Sequence, residues 1–265
     1  MHTAEVVSLP CQPRVLALLM RELLSDVPDL RRVDQLFSAD PVLAALLLES
    51  ANSSAFQMVA QVRGIPQAIV LLGTRQLRAL VKKAQTTLAA QVGAGVDMAL
   101  FVRTSHATAR LARSLCGMVG LEASAVYLAA LLHALGQLIV HQTQPERAAP
   151  LNQEMGIWDP RRARLELRHW GYSACSITAA LLRQSNLPAD IVAAIEAMEA
   201  PLATEPLDPM AGVLHLAAWR HRSQCSGWSE RVMADTFPMD VALALGVDMD
   251  VVLQQDATDW RQSMY

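Results

Sequence analysis

The sequence predicts an all-α protein made of two packed helical subdomains. Apolar residues recur every three or four positions along nearly the whole chain, which is the spacing of helices, and strict apolar–polar alternation is hard to find. Hydrophobic residues make up 52% of the 265 residues and charged residues 18%, which indicates a sizeable core rather than disorder. We expect an N-terminal helical bundle and a second helical bundle that share a rigid interface.

Three helices are predicted in the N-terminal part. The first has one apolar face, formed by Leu16, Leu19, Met20, Leu23 and Leu24. Asp40 and Pro41 are typical of an N-cap and a first helical position, so a short buried helix follows them and ends near Asn52. A third helix begins at Ile65-Pro66. The run Val92-Gly93-Ala94-Gly95 ends this part, and the first subdomain is predicted to cover residues 8–95.

The second subdomain is predicted at residues 96–201. Helical spacing indicates helices at about residues 98–118, 122–141, 160–168, 173–185 and 188–199. The segment from Pro201 to Pro209 holds three prolines and is predicted to be a connector. A C-terminal extension, residues 202–265, has helices at about 210–222 and 239–255 and is expected to pack on the second subdomain.

Composition excludes several classes of function. The formal net charge of -3 and the pI near 6.2 give no basic footprint for duplex nucleic acid. Four widely spaced cysteines form no CxxC pair and the N-terminus lacks a signal-peptide pattern, so we expect a reduced, cytoplasmic chain. The stretch from Ala123 to Pro145 is uncharged and long enough to span a bilayer, but polar residues interrupt it. We therefore expect a buried core helix there and no membrane contact.

His133 is the sharpest candidate for chemistry, since it stands in the apolar run from Leu131 to Gln137. His106 lies one predicted helix earlier, and histidines on two neighbouring antiparallel helices can meet across a bundle core. Helical bundles build metal sites in this way, although they add carboxylates. A histidine in an apolar helix is more often a hydrogen-bonded core residue than a ligand, so both interpretations stay open at this point.

Two long segments make the chain similar to a known family. The run from Phe37 to Ser53, FSADPVLAALLLESANS, and the run from Ile65 to Arg78, IPQAIVLLGTRQLR, closely resemble two characteristic segments of HDOD proteins. The resemblance continues through the His133 helix and covers about residues 8 to 220. It implies an HD-like helical bundle for the second subdomain and a role in bacterial signal transduction.

The HDOD family is related to HD phosphohydrolases, whose His-Asp pair binds metal. By this resemblance His106 and His133 are remnants of the metal site. Four other ligand positions are lost and are occupied by Ala134, Ala174, Met198 and Ala218. A catalytic zinc keeps three protein ligands and a two-metal site needs bridging carboxylates, so two histidines do not suffice. We expect no metal, no cofactor and no phosphohydrolase activity.

The leading hypothesis is a non-catalytic signalling module that acts through protein–protein contact, in a bacterial pathway linked to cyclic-di-nucleotide or two-component signalling. The alternative is a metal-dependent phosphohydrolase of a nucleotide or cyclic dinucleotide, which would need replacement ligands such as Glu199, Glu196 or His141. A third hypothesis is a sensor that binds a ligand in the remnant pocket. The sequence identifies neither the partner nor the oligomeric state.

A basic segment is the candidate contact for an acidic partner or an anion. Four arginines lie in one predicted helix in which Glu166 is the only acid: Arg161, Arg162, Arg164 and Arg168. A solvated face is the simpler interpretation, and the candidate contact is assigned to Arg161, Arg164 and Arg168. Three further histidines are expected at exposed or rim positions without a role: His169, His215 and His221.

Overall fold

The computed structural model describes residues 9–56, 61–86, 96–203 and 205–255. All regular structure in these ranges is helical, so the predicted all-α class is confirmed. The first helices are α1 (Pro13–Leu23), α2 (Leu30–Ser38), α3 (Pro41–Ala51), α4 (Ile65–Thr86), α5 (Met98–Val119), α6 (Ala123–Leu132) and α7 (Leu135–Thr143). They are followed by α8 (Pro145–Glu154), α9 (Arg162–Trp170), α10 (Ala174–Gln184), α11 (Ala189–Ala197), α12 (Pro209–Cys225), α13 (Glu230–Thr236), α14 (Met239–Leu245) and α15 (Met249–Gln254).

The helices pack around a continuous apolar core. Helices α1 to α4 contact one another, α5 lies against α6 and α12, and α10 lies against α7 and α11. Buried apolar residues from Leu9 to Val252 form one cluster, and a smaller cluster lies around Leu165 and Trp170. The core therefore extends through all three predicted segments. The predicted boundary at residues 92–95 lies outside the described residues, and the domain limits stay predictions.

Three predicted helical stretches are interrupted. Helix α4 contains one non-helical residue, Gly73, whose φ of 65° is open to glycine without a steric penalty. The stretch predicted at 122–141 is divided at His133 and Ala134 into α6 and α7, and the region 239–255 holds two helices separated by Gly246. Helices α2, α8 and α13 have no counterpart in the sequence prediction.

The apolar stretch that passes the length test for a membrane span lies inside the fold. Among the described residues it is Ala123–Thr143, which comprises α6 and α7. Of its most apolar window, 83% is buried. The stretch is therefore core structure in this fold, as the sequence predicts.

The predicted N-cap at Asp40 is confirmed, and it also joins two helices. Its Oδ1 accepts from the backbone N–H groups of Val42 and Leu43 at 2.8 and 3.2 Å, at the start of α3. Its Oδ2 accepts from the backbone N–H of Gln12, the N-cap of α1, at 2.6 Å. The buried carboxylate thus satisfies orphan donors at the starts of two helices, which holds them in register.

Helices α7 and α10 approach closely at Gly136. Its backbone N–H donates to Thr178 Oγ1 at 2.8 Å, and Thr178 in turn donates to the carbonyl of His133 at 2.9 Å. A Cβ at Gly136 would lie 1.9 Å from the carbonyl oxygen of Ala174. Only glycine permits this backbone contact, which sets the distance between the His133 turn and the start of α10.

We expect Gly136→Ala to lower the free energy of unfolding by about 3 kcal/mol, because the new methyl must displace a backbone carbonyl in a packed core. Gly117→Ala is the matched control, since that residue lies on the exposed side of α5 and nothing is within 4 Å of its added Cβ. The control should raise stability by about 0.5–1 kcal/mol through helix propensity. Equal effects of the two changes in urea denaturation would contradict the close approach.

Candidate functional site

A small polar cavity lies beside His133, where α7, α9, α10 and α12 meet. Its volume is about 20 Å³, which leaves room for about one water molecule. Its wall includes His133, Ala134 and Ala174, three of the positions that the resemblance assigns to the HD metal site. Glu199 and Arg222 also line the cavity. The cavity is therefore the candidate functional site.

His133 is held in one orientation and is uncharged. It is 2% exposed, and its Nδ1–H donates to the carbonyl oxygen of Ala130 at 2.6 Å. Burial lowers the pKa of His133 to about 4, because a buried imidazolium loses its hydration. In this neutral ring the Nε2 atom has no proton and carries a free lone pair.

Glu166 is the centre of the hydrogen-bond network beside the cavity. Its Oε1 accepts from Gln137 Nε2 at 2.9 Å and from Arg162 Nε at 3.0 Å, and its Oε2 accepts from the backbone N–H of Ala174 at 2.8 Å. Glu166 is 1% and Arg162 2% exposed, so this is a fully buried ion pair. Such a pair stabilises only when its remaining donors and acceptors are satisfied.

The remaining donors of Arg162 are all satisfied. Its burial also shows that the predicted solvated face does not include Arg162. Its Nη1 donates to the carbonyl of Met155 at 2.6 Å and its Nη2 to Asn152 Oδ1 at 2.9 Å. The sequence groups Arg162 with the surface arginines of α9, but helix geometry turns residues 162 and 166 to the inner face. Arg162 lines the cavity and donates to one carboxylate oxygen of Glu166.

A second arginine–carboxylate pair, formed by residues later in the chain, also lines the cavity. Arg222 Nη2 donates to Glu199 Oε1 at 3.2 Å, and the side chains are 13% and 16% exposed. Burial raises the pKa of Glu199, but the charge and hydrogen bond of Arg222 outweigh burial and the pKa is lowered. The thiol of Cys175 donates to the same Oε1 at 3.6 Å, and burial with the charge of Glu199 raises the pKa of Cys175 well above its ordinary value.

The structure does not bring His106 to this cavity. His106 is half-buried, its Nε2 contacts the carbonyl of Ala39 at 3.2 Å, and Tyr127 Oη lies 3.5 Å from its Nδ1. Burial lowers its pKa. The sequence left open whether His106 and His133 meet across the bundle, and in this structure His106 instead contacts the junction of α2 and α3.

The lost ligand positions divide into two groups. Ala134 and Ala174 line the cavity and present only methyl groups. Met198 and Ala218 are buried but do not line the cavity. The carbonyl of Met198 accepts from His215 Nδ1 at 2.7 Å, and Ala218 stands one turn before Arg222 on α12. The side chain that reaches the cavity from α12 is thus Arg222, a cation.

Of the three replacement ligands considered, one lies in the cavity. Glu196 is exposed and pairs with Arg183 at 2.6 Å. His141 is buried, and both ring nitrogens are engaged, by the carbonyl of Gln137 at 2.7 Å and by Asn152 Nδ2 at 2.9 Å. Glu199 is the one that shares the cavity with His133.

One of the three histidines expected at exposed or rim positions is more enclosed than predicted. His221 is 6% exposed, and burial, together with the positive charge of Arg222, lowers its pKa to about 4. Its ring lies 3.6 Å from the sulfur of the exposed Cys225. His215 is half-buried, whereas His169 is exposed as expected. The sequence does not indicate that His221 is buried, because both apolar and basic residues come directly before it.

A metal of the HD type does not fit this residue set. Within the described ranges, no group of three His, Cys, Asp or Glu side chains is arranged to hold a metal ion. The methyl groups of Ala134 and Ala174 offer no donors, and the two carboxylates of the cavity already have arginine partners. Charge balance is reached by two guanidinium groups and two carboxylates without an ion.

The outer face of α9 is basic. Arg161, Arg164 and Arg168 are all exposed, and Arg161 pairs with Asp159 at 3.0 Å. In the part of the chain that the structure describes, Arg164 and Arg168 have no ion pair. Leu167, 51% exposed, lies between them. The face therefore combines two unneutralised charges with an apolar side chain.

Comparison with protein-family models gives the domain to which this fold belongs. The family model of the HDOD domain matches residues 9–201 of the 265-residue chain. The chain belongs to the HDOD family. No match was found among curated proteins.

Solved structures share the fold of this HDOD protein at low identity. The MmoQ response regulator from Methylococcus capsulatus str. Bath is 20% identical with a TM-score of 0.73, over 96% of this chain and 100% of that chain. A Campylobacter jejuni virulence factor is 18% identical with a TM-score of 0.63, over 94% and 92%. A Shewanella amazonensis SB2B protein that carries a phosphohydrolase label is 24% identical with a TM-score of 0.54, over 95% and 93%. These identities show a common fold alone.

We expect the HDOD fold to lose stability between pH 6.5 and about 4. The folded pKa values of His133 and His221 are about 4, against an ordinary 6.5, so the unfolded chain binds more protons in this window. The free energy of unfolding that the two neutral histidines contribute is fully present above pH 6.5. It is lost as the pH is lowered towards 4, by up to about 1.4 kcal/mol per pH unit for each histidine. Urea denaturation across this range should show a shallower slope for His133→Gln or His221→Gln. His169→Gln is the surface control, and an unchanged slope in both buried variants would refute the assignment.

We expect Arg162→Met to lower the free energy of unfolding by about 3–5 kcal/mol, since it leaves Glu166 as a buried charge without its cation. Adding Glu166→Gln should recover most of this loss, because the glutamine oxygen still accepts from Ala174. The control Arg164→Met, on the exposed face, should change stability by less than about 0.5 kcal/mol. Additive losses in the double variant would show that the pair is not coupled.

Proposed function

We propose that this HDOD protein is a non-catalytic signalling module that acts through protein–protein contact. A signalling role is in keeping with the HDOD domain and with the fold it shares with a response regulator. The observation that supports the non-catalytic part is the arrangement of charge in the cavity, where an arginine lies 3.0 Å from Glu166 and another 3.2 Å from Glu199. Carboxylates engaged by fixed guanidinium groups are not free to bridge two metal ions and position a water nucleophile.

Metal content and turnover test the proposal together. Protein expressed in metal-supplemented medium should contain far less than one equivalent of transition metal by inductively coupled plasma mass spectrometry. It should also form no product above the blank from nucleotides or cyclic dinucleotides with added magnesium or manganese. Near-equimolar metal that disappears in His133→Ala, accompanied by turnover, would refute the proposal.

The second candidate function is a metal-dependent phosphohydrolase. It is favoured by the phosphohydrolase label of one structural neighbour and by the presence of His133 and Glu199 in one cavity. For this function Glu199 would have to release Arg222, and further ligands would have to come from outside the positions now held by alanine. The metal and turnover measurements above decide between the two candidates.

A ligand-binding sensor has less support. The cavity beside His133 has room for about one water molecule, far less than a nucleotide needs. Its unpartnered polar atoms among the described residues, Gln137 Oε1 and Trp158 Nε1, are the kind that a single buried water satisfies. A sensor role would therefore require the cavity to open.

The outer face of α9 is the partner contact that we favour. Arg164 and Arg168 lie one turn apart on this face with the exposed Leu167 beside them. Such a combination is suited to an acidic protein surface with an apolar contact at its centre.

The setting is proposed to be the cytoplasm, where unpaired thiols such as Cys11, Cys116, Cys175 and Cys225 are stable.

We expect the double change Arg164→Glu and Arg168→Glu to abolish partner cross-linking in the source cells, because it reverses the charge of the contact. The matched control reverses two exposed arginines on α2, Arg31 and Arg32, and should keep the cross-linked partner. Quantitative mass spectrometry of the cross-linked material provides the comparison. Loss of the partner in the control, or its retention in the α9 variant, would place the interface elsewhere.

A further inference from the structure

We propose that helix α14 of one copy of this chain binds the outer face of α9 of a second copy. The inference rests on the proposed function, because it names the acidic partner surface that the basic face of α9 would contact. It adds an interaction surface, the outer face of α14, which is formed by Met239, Asp240 and Leu243.

The outer face of α14 holds two large apolar side chains in solvent. Met239 is 45% and Leu243 69% exposed, and the two residues lie one turn apart on the same side of the helix. The opposite side of α14 packs on α12, with Val241 and Ala242 buried. The fold therefore keeps this apolar pair at a fixed place on the surface, as is typical of a protein contact site.

The surroundings of the outer face of α14 are acidic. Between the start of α13 and the end of α15 the chain has five acids and one basic residue, Arg231. All five acids are exposed, and in the part of the chain that the structure describes none of them forms an ion pair: Glu230, Asp235, Asp240, Asp248 and Asp250. The face is therefore complementary to a basic surface that also presents an apolar side chain.

The outer face of α9 is such a surface, and its residues have the same spacing. Leu167 follows Arg164 by three positions, and Leu243 follows Asp240 by three positions. Residues three apart lie side by side on one face of a helix. Two helices docked side by side in the same direction can thus place Arg164 against Asp240 and Leu167 against Leu243.

This match within one sequence is the reason for choosing a second copy as the partner. Arg164, Leu167, Asp240 and Leu243 are all exposed in the single chain, so its own α9 and α14 do not cover each other at these residues. The contact joins two different surfaces, which two copies can exchange reciprocally in a dimer or extend to further copies. Helices of nine and seven residues form a small interface, so we expect a transient association that weakens as salt screens the exposed charges.

Charge reversal on each face, followed by mixing of the two variants, tests the proposal. In sedimentation velocity the full-length wild-type chain should associate at concentrations up to about 1 mM. Arg164→Glu alone and Asp240→Arg alone should each weaken the association at least about 10-fold, because each places like charges against each other. An equimolar mixture of the two variants should regain it, since each variant keeps the face that the other has changed. The controls Arg31→Glu and Asp26→Arg change exposed charges elsewhere and should associate like the wild type.

Three outcomes would overturn the proposal: a wild-type chain that stays monomeric at every concentration, an association that neither reversal weakens, or a mixture that stays dissociated. Circular dichroism should show that the variants are folded, since every substitution is at an exposed position. A monomeric wild type whose cross-linking to another protein is still abolished by Arg164→Glu with Arg168→Glu would refute this inference and leave the proposed function standing. Recovery in the mixture, with a different cross-linked partner retained in that α9 variant, would contradict the proposed contact in the source cells and support the self-association.

Discussion

The arrangement around the cavity depends on the carboxylate of Glu166. It accepts from Gln137 on α7, from Arg162 on α9 and from the first backbone N–H of α10 at Ala174. Three helices therefore meet at one buried charge, which the positive end of the α10 dipole also favours. Because each partner is itself buried, the network is stable only as a whole. The close backbone approach at Gly136 keeps α7 and α10 near enough for it to form.

Much of the fold follows from local patterns, and the interior of the site does not. Apolar spacing predicts the long helices, and Asp40-Pro41 predicts the start of α3 because capping is a local interaction. The sequence predicts a solvated Arg162, because a charged residue in a basic run is usually exposed. The signal that it is buried is Glu166 four residues later, the one acid of the segment. The sequence leaves open whether His106 and His133 meet, because a family pattern fixes a position along the chain but not the helix face.

The comparison with solved structures shows that very different sequences adopt this fold. About a fifth of residues are shared with the MmoQ response regulator, yet nearly the whole of each chain superposes. Such a fold requires apolar positions of suitable size, which many sequences supply. The cavity depends on a few specific side chains, and in this chain two of them are arginines. Fold likeness therefore does not carry chemistry from one protein to another.

The exposure of the cysteines has a practical consequence. Cys11, Cys116 and Cys175 are buried, whereas Cys225 is exposed at the last turn of α12. A thiol-directed fluorophore or spin label would thus react with the native protein at one place without any engineered residue. That place is one turn from His221 and three residues from Arg222, so the label would report on the end of α12 that reaches the cavity.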